Sequence, residues 1–355
     1  MKKYGLVLFI MVIIITIKAQ TCIERAEQAG FKRFLIPDNI YNVDSIEFLM
    51  SYPINPTNPS IIFLQGSGNY TLISYDVNEN YSFATIPPYD IQVYVQKYNF
   101  ISISKPGTPL CSEWRSNRPF LDTTYSNYVT FLKMDFLDYY VAQTNQVIAF
   151  MKNILHIKTP IYLIGNSQGG KVAAKYSFLY PNNVQKLIFY SVGIFDRYLQ
   201  EIYDWRLKAD KGKISIEDAF AQINTVYKRY ENLKNWVEEN EEIFKQENTT
   251  LSDNTYSAIS NYSYNFDIPI NYLLKIDIPI LAVYGTNDIK TRDNDMLPLF
   301  FTRAGKNNLS MLPVFGCDHF FVKNTLDLET GKIIESKYMG DEVFEEIEKW
   351  ISNEK

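Results

Sequence analysis

Residues 161–176 constrain this chain most. Ile161-Tyr-Leu-Ile is an apolar run of strand length, Gly165-Asn166-Ser167-Gln168-Gly169-Gly170 reads as a turn, and Lys171-Val-Ala-Ala-Lys-Tyr opens a helix with small residues. A serine on so tight a strand-to-helix turn takes strained backbone angles, and side chains at positions 165 and 169 would clash. The G-x-S-x-G spacing therefore fits one local geometry, with the serine hydroxyl lifted clear of a sheet and a helix N-terminus aimed at it. Five residues with three fixed recur by chance. The strand–turn–helix setting is what makes the motif specific.

The rest of the chain supplies a sheet for that turn. Ser60–Leu64, Phe100–Ile103, Leu187–Tyr190 and Ile280–Tyr284 read as buried strands, as does Ile161–Ile164. Helical patterns at Asp135–Leu155, Gly170–Leu179 and Glu342–Ile351 alternate with them, which predicts a mostly parallel sheet with helices on both faces. Arg33–Ile36 and Ser45–Met50 read as an antiparallel edge. The alternation breaks between Val192 and Ile278. There Ile216, Phe220, Ile223, Val226 and Tyr230 step by three or four along one helix face. Leu233, Trp236, Val237 and Phe244 suggest a second helix, with Glu238, Glu239, Glu241 and Glu242 on its solvent side. Because a strand pattern resumes at Ile278, this stretch reads as an insertion rather than a second domain.

A serine hydroxyl is a poor nucleophile without a base, and the base needs an orienting acid. The chain has only two histidines, which excludes a multi-histidine metal centre, and its three cysteines cannot form a four-thiolate zinc site. His156 ends the helix that leads into the N-terminal edge of the sheet, where a cation suits the helix dipole. His319 follows the strand-like Leu309–Phe315 and opens on the same edge as Ser167, so it is the expected base. Asp288, just past the Ile280–Tyr284 strand, is the expected acid, with Asp196 as second choice. Asp318 abuts His319 too closely to orient it, and Asp293 and Asp295 fall in a following helix. Donors for an oxyanion are expected from the Gln168 amide and, after the strand at 60–64, from Ser67 N–H, with Gly68 as the alternative.

The order Ser167, Asp288, His319 and the Gly165–Gly170 turn resemble the α/β-hydrolase superfamily over about residues 45–354. That resemblance implies the α/β-hydrolase fold, an acyl-enzyme on Ser167, no metal, no cofactor, and a helical cap, here at about 193–277. Gln65 departs from the His that many members carry before the oxyanion glycines. Gly169-Gly170 is shared with prolyl-oligopeptidase-like and aminopeptidase-like members. The expected activity is hydrolysis of a carboxylic ester or thioester of a small to medium substrate. The alternative is a serine peptidase, with Glu201 or Asp204 meeting a substrate amine. A third reading is a binding protein on a degenerate hydrolase scaffold. Phe195, Tyr198, Trp205, Tyr227 and Trp236 either line an acyl pocket or seal the insertion onto the sheet. Lys105, Arg115 and Arg118 are candidates to meet an anionic substrate.

The N-terminus speaks to compartment. Met1-Lys2-Lys3 precedes an apolar run from Tyr4 to Ile17, shorter than the roughly 20 residues of a membrane span but the length of a secretory signal. Residues 1–19 are read as a signal peptide and 20–355 as the hydrolase domain, secreted or periplasmic, without stable membrane insertion. An uncleaved anchor and a lipid on Cys22 are the lesser alternatives. The signal carries three lysines and no acid, so its removal takes the net charge from −5 to −8. A chain that acidic has no electrostatic basis for gripping a phosphate backbone, so no nucleic acid is expected as partner, only a small-molecule ester or peptide substrate. Export permits one disulfide among Cys22, Cys111 and Cys317, in any of three pairings. Asn69-Tyr-Thr71 and Asn248-Thr-Thr250 match glycosylation acceptors. Oligomeric state is not readable.

Overall fold

The structure, a computed structural model, describes residues 20–353 other than 42, 77, 79–80, 88–90, 116–118, 241–251 and 328–331. Residues 1–19, expected as a signal, Arg118, Glu241, Glu242, Phe244 and Asn248, expected as a glycosylation acceptor, thus lie outside the described residues.

The sheet runs β1 (Phe31–Ile36), β2 (Ile46–Ser51), β6 (Asn99–Ile103), β3 (Ser60–Leu64), β8 (Ile161–Asn166), β9 (Lys186–Tyr190), β10 (Ile280–Gly285), β11 (Leu309–Val314). From β6 to β11 neighbours are parallel, whereas β1 and β2 form the expected antiparallel edge, paired from Phe31↔Ser51 to Ile36↔Ile46. The central strands are mostly apolar because both faces are covered, and alternate residues feed two cores. Ile62, Leu64, Leu163, Leu187, Phe189 and Ala282 face α3 (Leu137–Asn153) and α4 (Gln168–Leu179). Ile61, Phe63, Ile164, Ile188 and Val283 face α10 (Gly340–Ser352), whose Val343, Phe344, Ile347 and Ile351 make one apolar stripe.

Register sets the functional edge. Leu64 pairs with Gly165, Asn166 with Tyr190, and Gly285 with Val314. The loops leaving β3, β8, β9, β10 and β11 therefore start side by side at the carboxyl edge of the sheet. In such sheets this is where ligands bind.

Several elements depart from expectation. The helix expected at Asp135–Leu155 is α3, and a further short helix that was not expected, α2 (Tyr128–Met134), precedes it. A small sheet of β4 (Ile73–Asp76), β5 (Tyr81–Ala84) and β7 (Cys111–Glu113), and a hairpin of β12 (Val322–Leu326) and β13 (Ile333–Tyr338), had no clear pattern. Their strands are short, and β13 is exposed on every residue. Cys22 in α1 (Cys22–Gln28) is bonded to Cys111, with Cα atoms 5.5 Å apart, which leaves Cys317 free and buried. Among the described residues no helix is long and apolar enough to cross a membrane.

Between β9 and β10 come α5 (Arg197–Asp210), α6 (Ile216–Glu239), α7 (Asp253–Phe266) and α8 (Ile270–Leu273). The two expected helices at 216–244 are one as far as Glu239. Its apolar face is shorter than the periodicity suggests: Ile223 and Val226 pack on Ile202 of α5, but Ile216 and Phe220 are each 64% exposed.

Candidate active site

Ser167 sits at φ 50°, ψ −114° as the residue before α4, the left-handed strain that the turn motif implies. Its N–H donates to Tyr190 O on β9 at 3.0 Å. The glycine two residues on is required by close approach: a Cβ on Gly169 would lie 2.2 Å from Leu64 O. A Cβ on Gly170 would lie 2.1 Å from Val192 Cγ2, so the second glycine has a packing reason of its own. Gly66 abuts the serine from the other side, where a Cβ would stand 3.3 Å from Ser167 Cβ.

The acid and base are brought together by two loops zipped along their backbones. Thr286 N–H donates to Val314 O, Asn287 N–H to Cys317 O, and Gly316 N–H to Thr286 Oγ1, at 2.9–3.1 Å. Asp288, 3% exposed, then holds His319 Nδ1 through Oδ2 at 2.6 Å, while Lys290 N–H occupies its other oxygen. A carboxylate only accepts, so the imidazole proton lies on Nδ1 and Nε2 is left as a base. Ser191 Oγ donates to His319 O at 3.1 Å and so ties the histidine loop beside Tyr190 and the serine turn. No hydrogen bond joins Ser167 Oγ to His319 among the described residues. Such bonds tighten when substrate is bound.

The other carboxylates are engaged elsewhere. Asp196 caps α5 through Leu199 N–H, Asp318 accepts from Phe320 and Val322 N–H, and Asp295 accepts from Tyr284 OH. Asp293 takes Phe195 N–H, and burial raises its carboxyl to about 6. His156 is exposed just past α3, on the opposite edge of the sheet.

The backbone N–H groups of Ser67, Gly68 and Gln168 have no acceptor among the described residues, as donors for an oxyanion require. Gln65 stands where a histidine was noted as usual, and its Nε2 donates to Ile103 O at 3.3 Å, joining the ends of β3 and β6. Behind the turn, the Gln168 side chain accepts from Lys105 Nζ at 2.8 Å and donates to Asp135 Oδ1 at 3.1 Å. Asp135 also accepts from Tyr140 OH and from Ser260 Oγ of α7. The adjoining cavity, about 20 Å³, is too small for a substrate.

Lys105 was one of three candidates to meet an anionic substrate. It is instead buried on Gln168, and burial pulls its ammonium down to about 8. Arg115 pairs with Glu113 at 3.1 Å. The cation that does reach the Gly66–Gly68 loop is Arg197, whose Nη2 donates to Ser67 Oγ at 2.9 Å. Nothing in its local sequence singled it out, because the loop it meets is 130 residues away. Asn69, offered as a glycosylation acceptor, is buried and exchanges both side-chain bonds with the Asp122 backbone. Among the described residues no group of three or more His, Cys, Asp or Glu is placed to hold a metal ion.

The family model of the alpha/beta hydrolase fold matches residues 123–322, more than half of the chain. This chain belongs to that family. No curated protein matches the hydrolase by sequence. A Bacteroides ovatus ATCC 8483 protein described as a dipeptidyl aminopeptidase IV is similar in structure, with TM-score 0.50 and 11% identity over 90% of this chain and 35% of that one. Pyrococcus horikoshii acylaminoacyl peptidase gives TM-score 0.48 and 13% identity over 81% and 37%. A carboxyl esterase from Bacillus coagulans gives 0.47 and 12% over 91% and 98%. The hydrolase thus spans little more than a third of the two peptidases' length, and likeness at these identities establishes the fold alone.

Proposed function

We propose that this hydrolase cleaves a carboxylic ester or thioester through an acyl-enzyme on Ser167. The observation that carries the reading is the His319–Asp288 pair at 2.6 Å on the sheet edge that also presents Ser167 in its strained turn. In this mechanism His319 Nε2 takes the Ser167 proton as Oγ attacks the carbonyl carbon, and Asp288 holds the Nδ1 proton and stabilises the imidazolium. The N–H groups of Gln168 and Ser67 receive the oxyanion. Collapse expels the alcohol or thiol with the proton returned by His319. A water activated by the same nitrogen then releases the acid. Phe120, whose backbone carbonyl abuts Gly68, and Phe320, next to His319 in the chain, are 54% and 72% exposed and offer an apolar rim for an acyl or aryl group.

The peptidase alternative draws less support. Glu201 and Asp204, the acids suited to a substrate amine, pair with Arg229 and Lys208 at 2.6 Å each. The double glycine is accounted for by Val192.

The four helices between β9 and β10 are read as the cap. α7 lies over the serine edge, with Lys171 of α4 donating to Tyr264 O at 2.7 Å and Leu137 N–H to Ser263 Oγ. Tyr198 and Trp205 pack between α5 and α6, which supports a sealing role for these two; Phe195 packs against Phe300 and lines a cavity of about 350 Å³, and Tyr227 is exposed. Export of the mature chain from residue 20 is part of the proposal, and the Cys22–Cys111 disulfide supports an oxidising compartment.

A fluorophosphonate probe is expected to label Ser167, and Ser167→Ala to lose labelling and about 10⁴-fold or more of 4-nitrophenyl ester turnover. Full turnover in the Ser167→Ala variant would sink the proposal.

A further inference from the structure

Three basic side chains converge on the Ser167 turn, and two of them are committed. Lys105 holds Gln168, and Lys171, buried, holds Tyr264 O. Arg197 is different. It is half-buried at the start of α5, gives one N–H to Ser67 Oγ at 2.9 Å, and places its guanidinium carbon 6.0 Å from the Tyr264 ring centre. Among the described residues that is its only side-chain hydrogen bond, and no carboxylate stands within ion-pair distance. A guanidinium offers five N–H donors in a rigid plane, so four remain uncommitted. The carboxylates of this region have other partners, Asp196 in Leu199 N–H, Asp135 in Gln168, Tyr140 and Ser260, and Asp293 through Oδ2 in Phe195 N–H, and none of them forms an ion pair with Arg197.

Its location adds to this. Ser67 follows Gly66, which abuts Ser167 Cβ, so the guanidinium is one short side chain from the loop that faces the reacting carbonyl. Arg197 is also close enough to help depress both lysines, a sign that cations crowd here. A partly desolvated guanidinium without a counter-charge is costly, and a planar carboxylate would satisfy it bidentately.

We propose that Arg197 binds a carboxylate carried by the substrate near its scissile carbonyl, so that the preferred substrates are anionic esters. This rests on the serine-hydrolase reading above.

The test compares matched ester pairs. Mono-4-nitrophenyl glutarate against 4-nitrophenyl butyrate places the charge on the acyl side. The butyryl ester of 4-hydroxybenzoate against phenyl butyrate places it on the alcohol side. In at least one pair the anionic ester is expected to lead in kcat/KM by about tenfold or more, and Arg197→Gln to lower that ratio by about tenfold, with partial recovery in Arg197→Lys. A neutral preference in both pairs, or a ratio that survives Arg197→Gln, would overturn the proposal. Binding gives a readout independent of turnover: calorimetry of monomethyl glutarate with the Ser167→Ala variant should show affinity that falls about tenfold when Arg197→Gln is added. No binding, or binding unchanged by Arg197→Gln, overturns it as well. If the fluorophosphonate labels Ser167 and neutral esters turn over, only the charge preference has failed. If neither occurs, the hydrolase reading has failed, and the binding result still decides Arg197.

Discussion

At the scale of single residues, the site is a set of atoms whose roles follow from what already occupies their partners. Asp288 can orient His319 because Lys290 N–H takes only one of its oxygens. Asp318, although next in sequence to the histidine, spends its carboxylate on two amides of its own turn. Asp288→Asn is therefore expected to lower kcat by about 10²–10⁴-fold by favouring the wrong imidazole tautomer. Asp196→Asn should leave kcat within a few-fold, and kcat equal in the two variants would refute the assignment. That Asp288 and His319 would meet was legible in the sequence, since loops after apolar strands open on one edge and only two histidines compete. The misplacement of Lys105 was equally physical. A lysine in a loop after a strand reads as solvated, and only packing against Gln168, Phe131 and Tyr140 reveals it as buried.

At the scale of elements, what matters is how α7 is fastened to the sheet. Lys171 projects from α4 into a buried position and gives its N–H to the Tyr264 carbonyl near the end of α7. Burial lowers its pKa to about 7 from an ordinary 10.5. Because the folded pKa lies below the unfolded one, the unfolded chain binds the proton more readily between pH 10.5 and 7. The native state thus loses stability as pH falls through that window. Relative to Lys171→Met, the wild type is expected to weaken by on the order of 2–3 kcal/mol between pH 9.5 and 7. Urea titrations of both proteins at the two pH values would show it, and a stability gap independent of pH would contradict it. The single 24-residue α6 is another element-scale finding. Its periodicity predicted a helix but also an apolar face longer than the one buried: Ile223 and Val226 pack on Ile202 of α5 and Tyr230 stacks on Phe266 of α7, while Ile216 and Phe220 meet solvent.

At the scale of the whole molecule, the Cys22–Cys111 bond closes an 89-residue separation and fastens α1 to the small sheet beside the oxyanion loop. Replacing both cysteines by serine should cost about 2–5 kcal/mol in reversible unfolding, and an unchanged midpoint would show the bond to be dispensable. The sequence alone left three pairings open, since separation along the chain says nothing of Cα distance. By itself it determined the alternating strands and helices, the strained turn at Ser167, and the pairing of Asp288 with His319. Those depend on local periodicity and on backbone angles that few residues tolerate. Tertiary structure alone decided which cysteines meet, which cations are buried, and that Arg197 stands over the oxyanion loop. Those depend on register and packing between segments 63 to 130 residues apart, where no local pattern carries the information.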